Sequence, residues 1–428
     1  MREFTDLSRK PVLIIGAGIS GLATARLLTQ HCIPNVVFEA SSADRNQGFS
    51  ITLRKWAYEP LLHELGDIST ETLAKAIAPD RHVGGAGSLD QALRDVSSGQ
   101  KLIAPEPAKD GTSDRKMFRA NRNALRVWLR DCGEQEVDVR YRHKLKSFQG
   151  ELGNLKVEFE NGVNFEGSLI IAADGVHSTV RQHMLAHINP EIVPVVVFHG
   201  DFHLSHEEFN TIIKPSIGDS NILGGVGDSF NTPITVSNIN EKGVDLDWSY
   251  SRAVRGDNDP LFNPYGTQDQ LRQIPNDLLY ELESAKLASP FSYVLSAEHI
   301  QKNGLFNWVS RSVFVSRSDL NSALEQGVVF VGDSWHAMPI FGGEGGNHAL
   351  LDTVELSKAL LDNSFQGGRK MENEEKGHLL EARLHNYYDG AYKRCHDAVR
   401  RCRQRFGLLH RPIEEWRMLA EQKSQQPT

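Results

Sequence analysis

The stretch Val12-Leu13-Ile14-Ile15-Gly16-Ala17-Gly18-Ile19-Ser20-Gly21 most narrows what this chain can fold into. Its four consecutive apolar residues read as a strand buried on both faces, and Leu22 to Leu28 carries helical spacing after the glycines. In such a strand, turn and helix, the first glycine permits the tight bend and the second lets a diphosphate reach the backbone. The third lets helix and strand pack closely. The helix start then offers free N–H groups and a positive dipole end to the anion. After a Pro34-Asn35 turn, Val36-Val37-Phe38 forms a second strand ending at Glu39, placed to accept hydrogen bonds from a ribose diol. The chain therefore opens with a dinucleotide site.

Later segments repeat the pattern of a buried strand followed by a polar turn. Ser168 to Ala173 is apolar and runs into Asp174-Gly175, and Gly327 to Val331 runs into Gly332-Asp333. Ligands of doubly wound sheets bind at the carboxyl ends of strands, so three such ends spread along the chain imply an extended ligand. Between the first and second lies Phe118 to Arg130, an amphipathic helix with Leu125, Trp128, Leu129 and Cys132 on one face and Asn121 as its cap. Arg122 falls in its first turn, where a cation opposes the helix dipole, which points to an anionic ligand. Arg126 and Arg130 read as a solvated face.

The remaining chain divides by composition. Phe49 to Leu53 alternates like a short strand, Trp56 to Leu65 has helical spacing, and residues 66–116 read as irregular. Gly84 to Gly87 and Gly224 to Gly227 read as turns, because neither follows an apolar strand. Residues 188–320 alternate short β-rich pieces with Asn, Asp, Gly and Pro turns and scattered aromatics, as a sheet-dominated insertion would. Asn347 to Leu361 is helical in spacing, and so is the tail from Leu379, whose Arg400, Arg401, Arg403 and Arg405 read as a solvated face. The expected domains are 1–187 and 321–370 for the cofactor, 188–320 for the substrate, and 371–428 as C-terminal helices.

A formal charge of −8 argues against a nucleic-acid partner. The four cysteines have neither metal-ligand nor disulfide spacing, Met1 to Lys10 carries no secretory signal, and no run is apolar enough to span a membrane. A cytoplasmic enzyme, monomer or homodimer, with a small-molecule substrate is expected. The absence of HExxH, CxxC, nucleophile-elbow and Walker motifs leaves metal and covalent-nucleophile chemistry without support, and no catalytic side chain is singled out. His336 reads as structural.

The combination of Gly16, Gly18, Gly21 and Glu39, of Arg122, Leu125 and Leu129, of Asp174, Gly175, Ser178 and Arg181, and of Gly332-Asp333 with Pro339, Gly342, Gly345 and Asn347 resembles the single-component class A flavoprotein monooxygenases. Within that para-hydroxybenzoate hydroxylase-like family it looks most like tetracycline-hydroxylating and fungal secondary-metabolite enzymes, notably at Asn121 to Arg126. The resemblance covers roughly residues 15–360. It implies a Rossmann-like α/β FAD-binding domain with an inserted β-sheet domain. It also implies FAD as cofactor, NADPH or NADH as transient reductant, and dioxygen as co-substrate. Gly16, Gly18 and Gly21 would hold the diphosphate, Glu39 the adenosine ribose, and Asp333 the ribityl chain or, through water, the diphosphate. Arg122 would approach the cofactor, Gly345, Gly346 and Asn347 would lie against the flavin ring, and Gly48 and Ser50 would run along it. Asp174 would serve the NAD(P)H and FAD region or cap its own turn. The product would be a hydroxylated, epoxidised or Baeyer–Villiger-oxidised bulky aromatic. An FAD oxidase or dehydrogenase and an alkene reductase are the alternatives. Two departures stand out: Ala40 where relatives place Arg, and Glu344 where they place Gln, a carboxylate that would oppose a reduced anionic ring.

Overall fold

In the computed structural model, residues 10–45, 49–103, 117–361, 365–366, 369–370 and 373–424 are described. The stretch Met1 to Arg9 and the expected flavin residue Gly48 lie outside them. The first strand, Val12–Ile15, is fully buried and pairs in parallel with Asn35–Phe38 on one side and Leu169–Ala172 on the other. Val328–Phe330 and Val139–Arg140 extend this to a five-stranded sheet. Its apolar residues are sandwiched by helices Ile19–Gln30, Arg122–Asp131 and Gly345–Leu360, which is why they read as continuous rather than alternating runs.

The helix Ile19–Gln30 packs so closely on the first strand that glycine is required in the turn. A Cβ on Gly21 would stand 1.9 Å from the Gly16 carbonyl oxygen. At Gly16, where φ is +106°, one would stand 2.5 Å from the Ala173 carbonyl oxygen. Gly18 is different: a Cβ there would meet nothing nearer than 3.9 Å, so protein packing does not explain it.

A second, eight-stranded sheet is built mainly on the long antiparallel pair Val195–Leu204 and Gly243–Ala253. The two faces of this pair differ. Val196, Phe198, Phe202, Leu246, Trp248 and Tyr250 bury an apolar face under helices such as Asn276–Ser284. His199, Asp201, Asp247 and Ser249 lie on the other, polar face. That polar side meets strands Ser50–Arg54 and Met117–Asn121 of the cofactor half, with the Ser50 hydroxyl donating to the Val236 carbonyl at 3.0 Å and the Asn121 amide to Ser237 at 2.8 Å.

Two expectations need correction, while the helical tail is as expected. Residues 66–116 are not all irregular: Thr70–Ile77 is a helix capped by Ser69, and Leu93–Asp95 and Lys101–Ile103 are strands of the second sheet. The polar spacing of this stretch hid elements that are stabilised by packing rather than by pattern. Gly224 and Gly225 lie in strand Ile222–Val226, not in a turn. There a Cβ on Gly225 would stand 2.5 Å from the Phe291 ring, so close side-chain approach explains the glycine. The tail forms one 37-residue helix, Asn373–Leu409, followed by Ile413–Ser424. Gly21→Ala is expected to lower stability by about 3 kcal/mol, since backbone rather than a flexible side chain opposes the added methyl; denaturant unfolding of the FAD-free protein measures it.

Candidate active site

The glycine turn, Asp174-Gly175 and Gly332-Asp333 all lie at carboxyl ends of the parallel sheet, so the fold brings together the three expected strand ends. Glu39 closes the second strand and turns back to the glycines: its carboxylate accepts from the Ala17 amide at 2.8 Å and the Ser41 amide at 2.9 Å. Burial alone would raise its pKa, but these amides, the Ser41 hydroxyl and Arg45 hold it below the ordinary value. A carboxylate oxygen with one amide on it still has a lone pair for a ribose hydroxyl.

Arg122 and Asp333 face each other electrostatically across the cleft. Solvent reaches both, although protein wraps them closely. That wrapping raises the Asp333 pKa, against the pull of His336 and Arg122, and lowers that of Arg122. Asn121 caps the Arg122–Asp131 helix as expected, accepting from the Ala124 amide at 2.8 Å. Arg126, expected on a solvated face, instead donates from Nε to the Ala17 carbonyl at 3.0 Å and so supports the glycine turn from behind. Its spacing in the arginine stripe could not reveal this, because the partner is 109 residues away.

Asp174 caps its own turn. Its Oδ2 accepts from the Thr179 and Val180 amides at 2.7 and 3.2 Å, while Oδ1 is buried without a hydrogen-bond partner. Burial raises its pKa despite the donors around it. Arg181 of the same segment is fully buried and donates to the Ser334 carbonyl at 2.6 Å, bolting this turn to the Gly332-Asp333 turn.

The helix Gly345–Leu360 begins next to Asp333. Its Asn347 side chain accepts from the Arg54 amide at 2.7 Å and donates to the Thr52 carbonyl at 2.9 Å, so it pins strand Ser50–Arg54 to the helix start. The Asn347 N–H is taken by the Glu344 carbonyl, which leaves the first-turn amides of Gly345 and Gly346 as donors for a ligand. A Cβ at either glycine meets only ordinary contacts of 3.7 Å or more. Like Gly18, both leave room that the protein itself does not use. These spare positions along one cleft fit a long anionic cofactor.

Glu344 does not stand as a bare carboxylate. Arg401 donates to it at 3.0 Å, Arg405 lies 3.5 Å away, and Arg405 and Arg54 also donate to the neighbouring Gly342 carbonyl. Burial would raise its pKa; His348, Arg401 and Arg54 bring it down to about 2. The basic block of the tail is thus split. Arg400 pairs on the surface with Asp397, whereas Arg401 and Arg405 neutralise the flavin-side loop.

His336 is structural, as expected. It is fully buried with Nε2 2.6 Å from Asp352, whose carboxylate also accepts from the Gly332 amide and from Arg394. Against burial, Cys395 and Asp352 hold His336 well above its ordinary pKa. Cys395 completes a trio whose ligand atoms lie within 4.8 Å, but the Arg394 guanidinium already occupies Asp352, which leaves an internal charge network rather than a cation site. Sequence reading missed Asp247, which is buried on the polar face of the second sheet with Oδ2 unpartnered. Burial and Asp201 push it up to about 7. The four cysteines are free, and no helix among the described residues is long and apolar enough to cross a membrane.

Residues 9–191 match the family model described as an FAD binding domain. The chain is 53% identical to the FAD-dependent monooxygenase adaC of Aspergillus niger over 416 residues, 96% of each chain. It is 52% identical to the FAD-dependent monooxygenase nscC of Trichophyton tonsurans, across 97% of this chain and 98% of the relative. Among solved structures, 2,6-dihydroxypyridine-3-hydroxylase from Arthrobacter nicotinovorans has a TM-score of 0.70 at 17% identity, over 94% of this chain and 93% of its own. Klebsiella pneumoniae HpxO complexed with FAD and uric acid has a TM-score of 0.69 at 19% identity, over 98% and 93%. The fold and cleft define an FAD-binding flavoprotein of class A architecture. With relatives this similar along nearly the whole length, the chain belongs to the FAD-dependent monooxygenases.

Two outcomes test the site. Glu344→Gln is expected to cost about 2 kcal/mol at neutral pH, because its arginine partners keep their charge and lose the carboxylate that pairs with it. A carboxyl whose folded pKa is depressed stabilises above its unfolded pKa, so the gap to the parent protein should be constant above about pH 5 and shrink as pH falls towards 2. Thermal unfolding across that range measures it. Gly345→Ala, which has space within the protein, is expected to leave the unfolding midpoint of the FAD-free protein unchanged and to weaken FAD binding at least tenfold by fluorescence titration.

Proposed function

We propose that this chain uses NADPH or NADH to place one oxygen atom from dioxygen on a flat aromatic small molecule, in secondary metabolism and in the cytosol. The observation that carries the substrate class is an aromatic slot where the second sheet meets the cofactor half. Phe49, just before strand Ser50–Arg54 and 44% exposed, lies 5.2 Å from the His199 ring on the sheet. The Trp308 ring lies 5.7 Å from the same imidazole. Two structural neighbours are named for flat heteroaromatic compounds, 2,6-dihydroxypyridine and uric acid, which agrees with such a slot.

FAD, when bound, supplies the electron transfer and oxygen chemistry. The chain's residues orient it and set its surroundings. Gly16, Gly18 and Gly21 present the turn and helix start to the diphosphate. Glu39 accepts from the ribose, while Asp333 accepts from the sugar-like chain and Arg122 offsets nearby negative charge. The amides of Gly345 and Gly346, at the positive end of a 16-residue helix, stabilise negative charge on the ring. Arg401 and Arg405 cancel Glu344, so the carboxylate does not oppose that charge. Ser50, and Gly48 if it continues the same path, flank the ring from the strand side. Asp174 acts through its capped turn, which Arg181 holds against Asp333's loop. In this reading residues 1–187 and 321–370 hold the cofactor, 188–320 cover the substrate and 371–428 brace the flavin-side loop.

The protein is expected to purify yellow or to become so with added FAD. Polycyclic phenols or indoles should accelerate NADPH oxidation and carry label from labelled dioxygen. Peroxide release matching NADPH use, with no labelled product from any of these, would overturn the oxygenase assignment in favour of an oxidase.

A further inference from the structure

The slot that defines the substrate class contains one polar ring, His199. It lies on the polar face of the strand Val195–Leu204, directly opposite Ser249 and next to the Gly200 and Trp248 pair. Protein surrounds the imidazole, yet solvent still reaches it, as is true of Arg122 and Asp333 in the same cleft. That enclosure pulls its pKa down to about 4, so the ring is neutral at physiological pH. A neutral imidazole carries one N–H and one bare nitrogen. The bare nitrogen is left to accept from a ligand. The imidazole is tilted 51° to the Phe49 ring and 56° to the Trp308 ring. Neither nitrogen of the ring is a sealed, unpartnered atom.

We propose that His199 selects the substrate by accepting a hydrogen bond from a phenolic or enolic hydroxyl of a planar ligand held against Phe49 and Trp308. This rests on the aromatic-substrate reading above. The strand carries the ring from the protein side, a planar ligand seated against the two aromatics displaces the water that reaches it, and the acceptor discriminates between a hydroxyl and its ether. A ligand lacking the donor leaves a desolvated nitrogen unpaired, and such sites reject the wrong analogue strongly.

The test titrates the FAD-loaded protein with 2-naphthol and with 2-methoxynaphthalene, following the perturbation of flavin absorbance. The parent protein should bind the naphthol at least tenfold more tightly than the ether. H199F should bind both equally, while H199Q, which keeps an acceptor, should retain most of the preference. If H199F does not give folded, FAD-loaded protein, H199L makes the same comparison. A preference that survives removal of the acceptor overturns the role of His199 alone. Failure of the parent protein to bind either compound overturns the aromatic-substrate reading itself, and this proposal with it.

Discussion

A single buried carboxylate holds the catalytic half of this protein in register. Asp352, on the helix Gly345–Leu360, takes the Gly332 amide at 2.9 Å, His336 at 2.6 Å and Arg394 of the C-terminal helix at 3.0 Å. One side chain thereby joins the turn carrying Asp333, the helix carrying Gly345 and Gly346, and the long helix that carries Arg401 and Arg405. Taking these charges out of water is costly, and removing one partner of such a set costs about 3–5 kcal/mol because the others are left unpaired. The network is therefore a constraint on geometry: any shift of one element exposes a charge with no partner. A cofactor site that depends on fixed N–H groups needs such a constraint.

The same long helix resolves the electrostatic difficulty at Glu344. A carboxylate at the start of the flavin-side helix is favourable for the helix dipole and unfavourable for a reduced ring. Two guanidinium groups from the tail and one from strand Ser50–Arg54 remove the second effect without removing the first. Neutralisation also fixes the loop, because Arg405 and Arg54 both hold the Gly342 carbonyl. Flavin environment and C-terminal packing are one structural unit.

The second sheet separates its functions by face. Its apolar face buries aromatics such as Phe198, Trp248 and Tyr250 under helices. Its polar face, with His199 and Asp247, is turned towards strand Ser50–Arg54. The scattered aromatics of residues 188–320 are thus mostly core, as their number suggests, while the two that form the slot with His199 come from different places: Trp308 from late in the insertion and Phe49 from the cofactor half.

The parallel sheet, the glycine turn, Glu39 at its strand end, the Asn121 cap and the start of the helix near Gly345 were legible in the linear sequence, because each depends on neighbours a few residues away. Periodicity, glycine chemistry and capping are local rules, and these elements obey them. The sequence did not reveal the helix Thr70–Ile77, the Gly224 strand, the post of Arg126 behind Ala17, the arginines that cancel Glu344, or the imidazole between Phe49 and Trp308. Except for the helix Thr70–Ile77, whose Ser69 cap is local, the deciding contacts are long-range: 57 residues from Glu344 to Arg401, 109 from Ala17 to Arg126. What the chain by itself determined was a parallel sheet whose strands end in glycine and acidic turns of the dinucleotide-binding kind. Only the tertiary structure decided which charges surround Glu344 and which polar group stands beside Phe49 and Trp308, since both arise where residues distant in sequence meet.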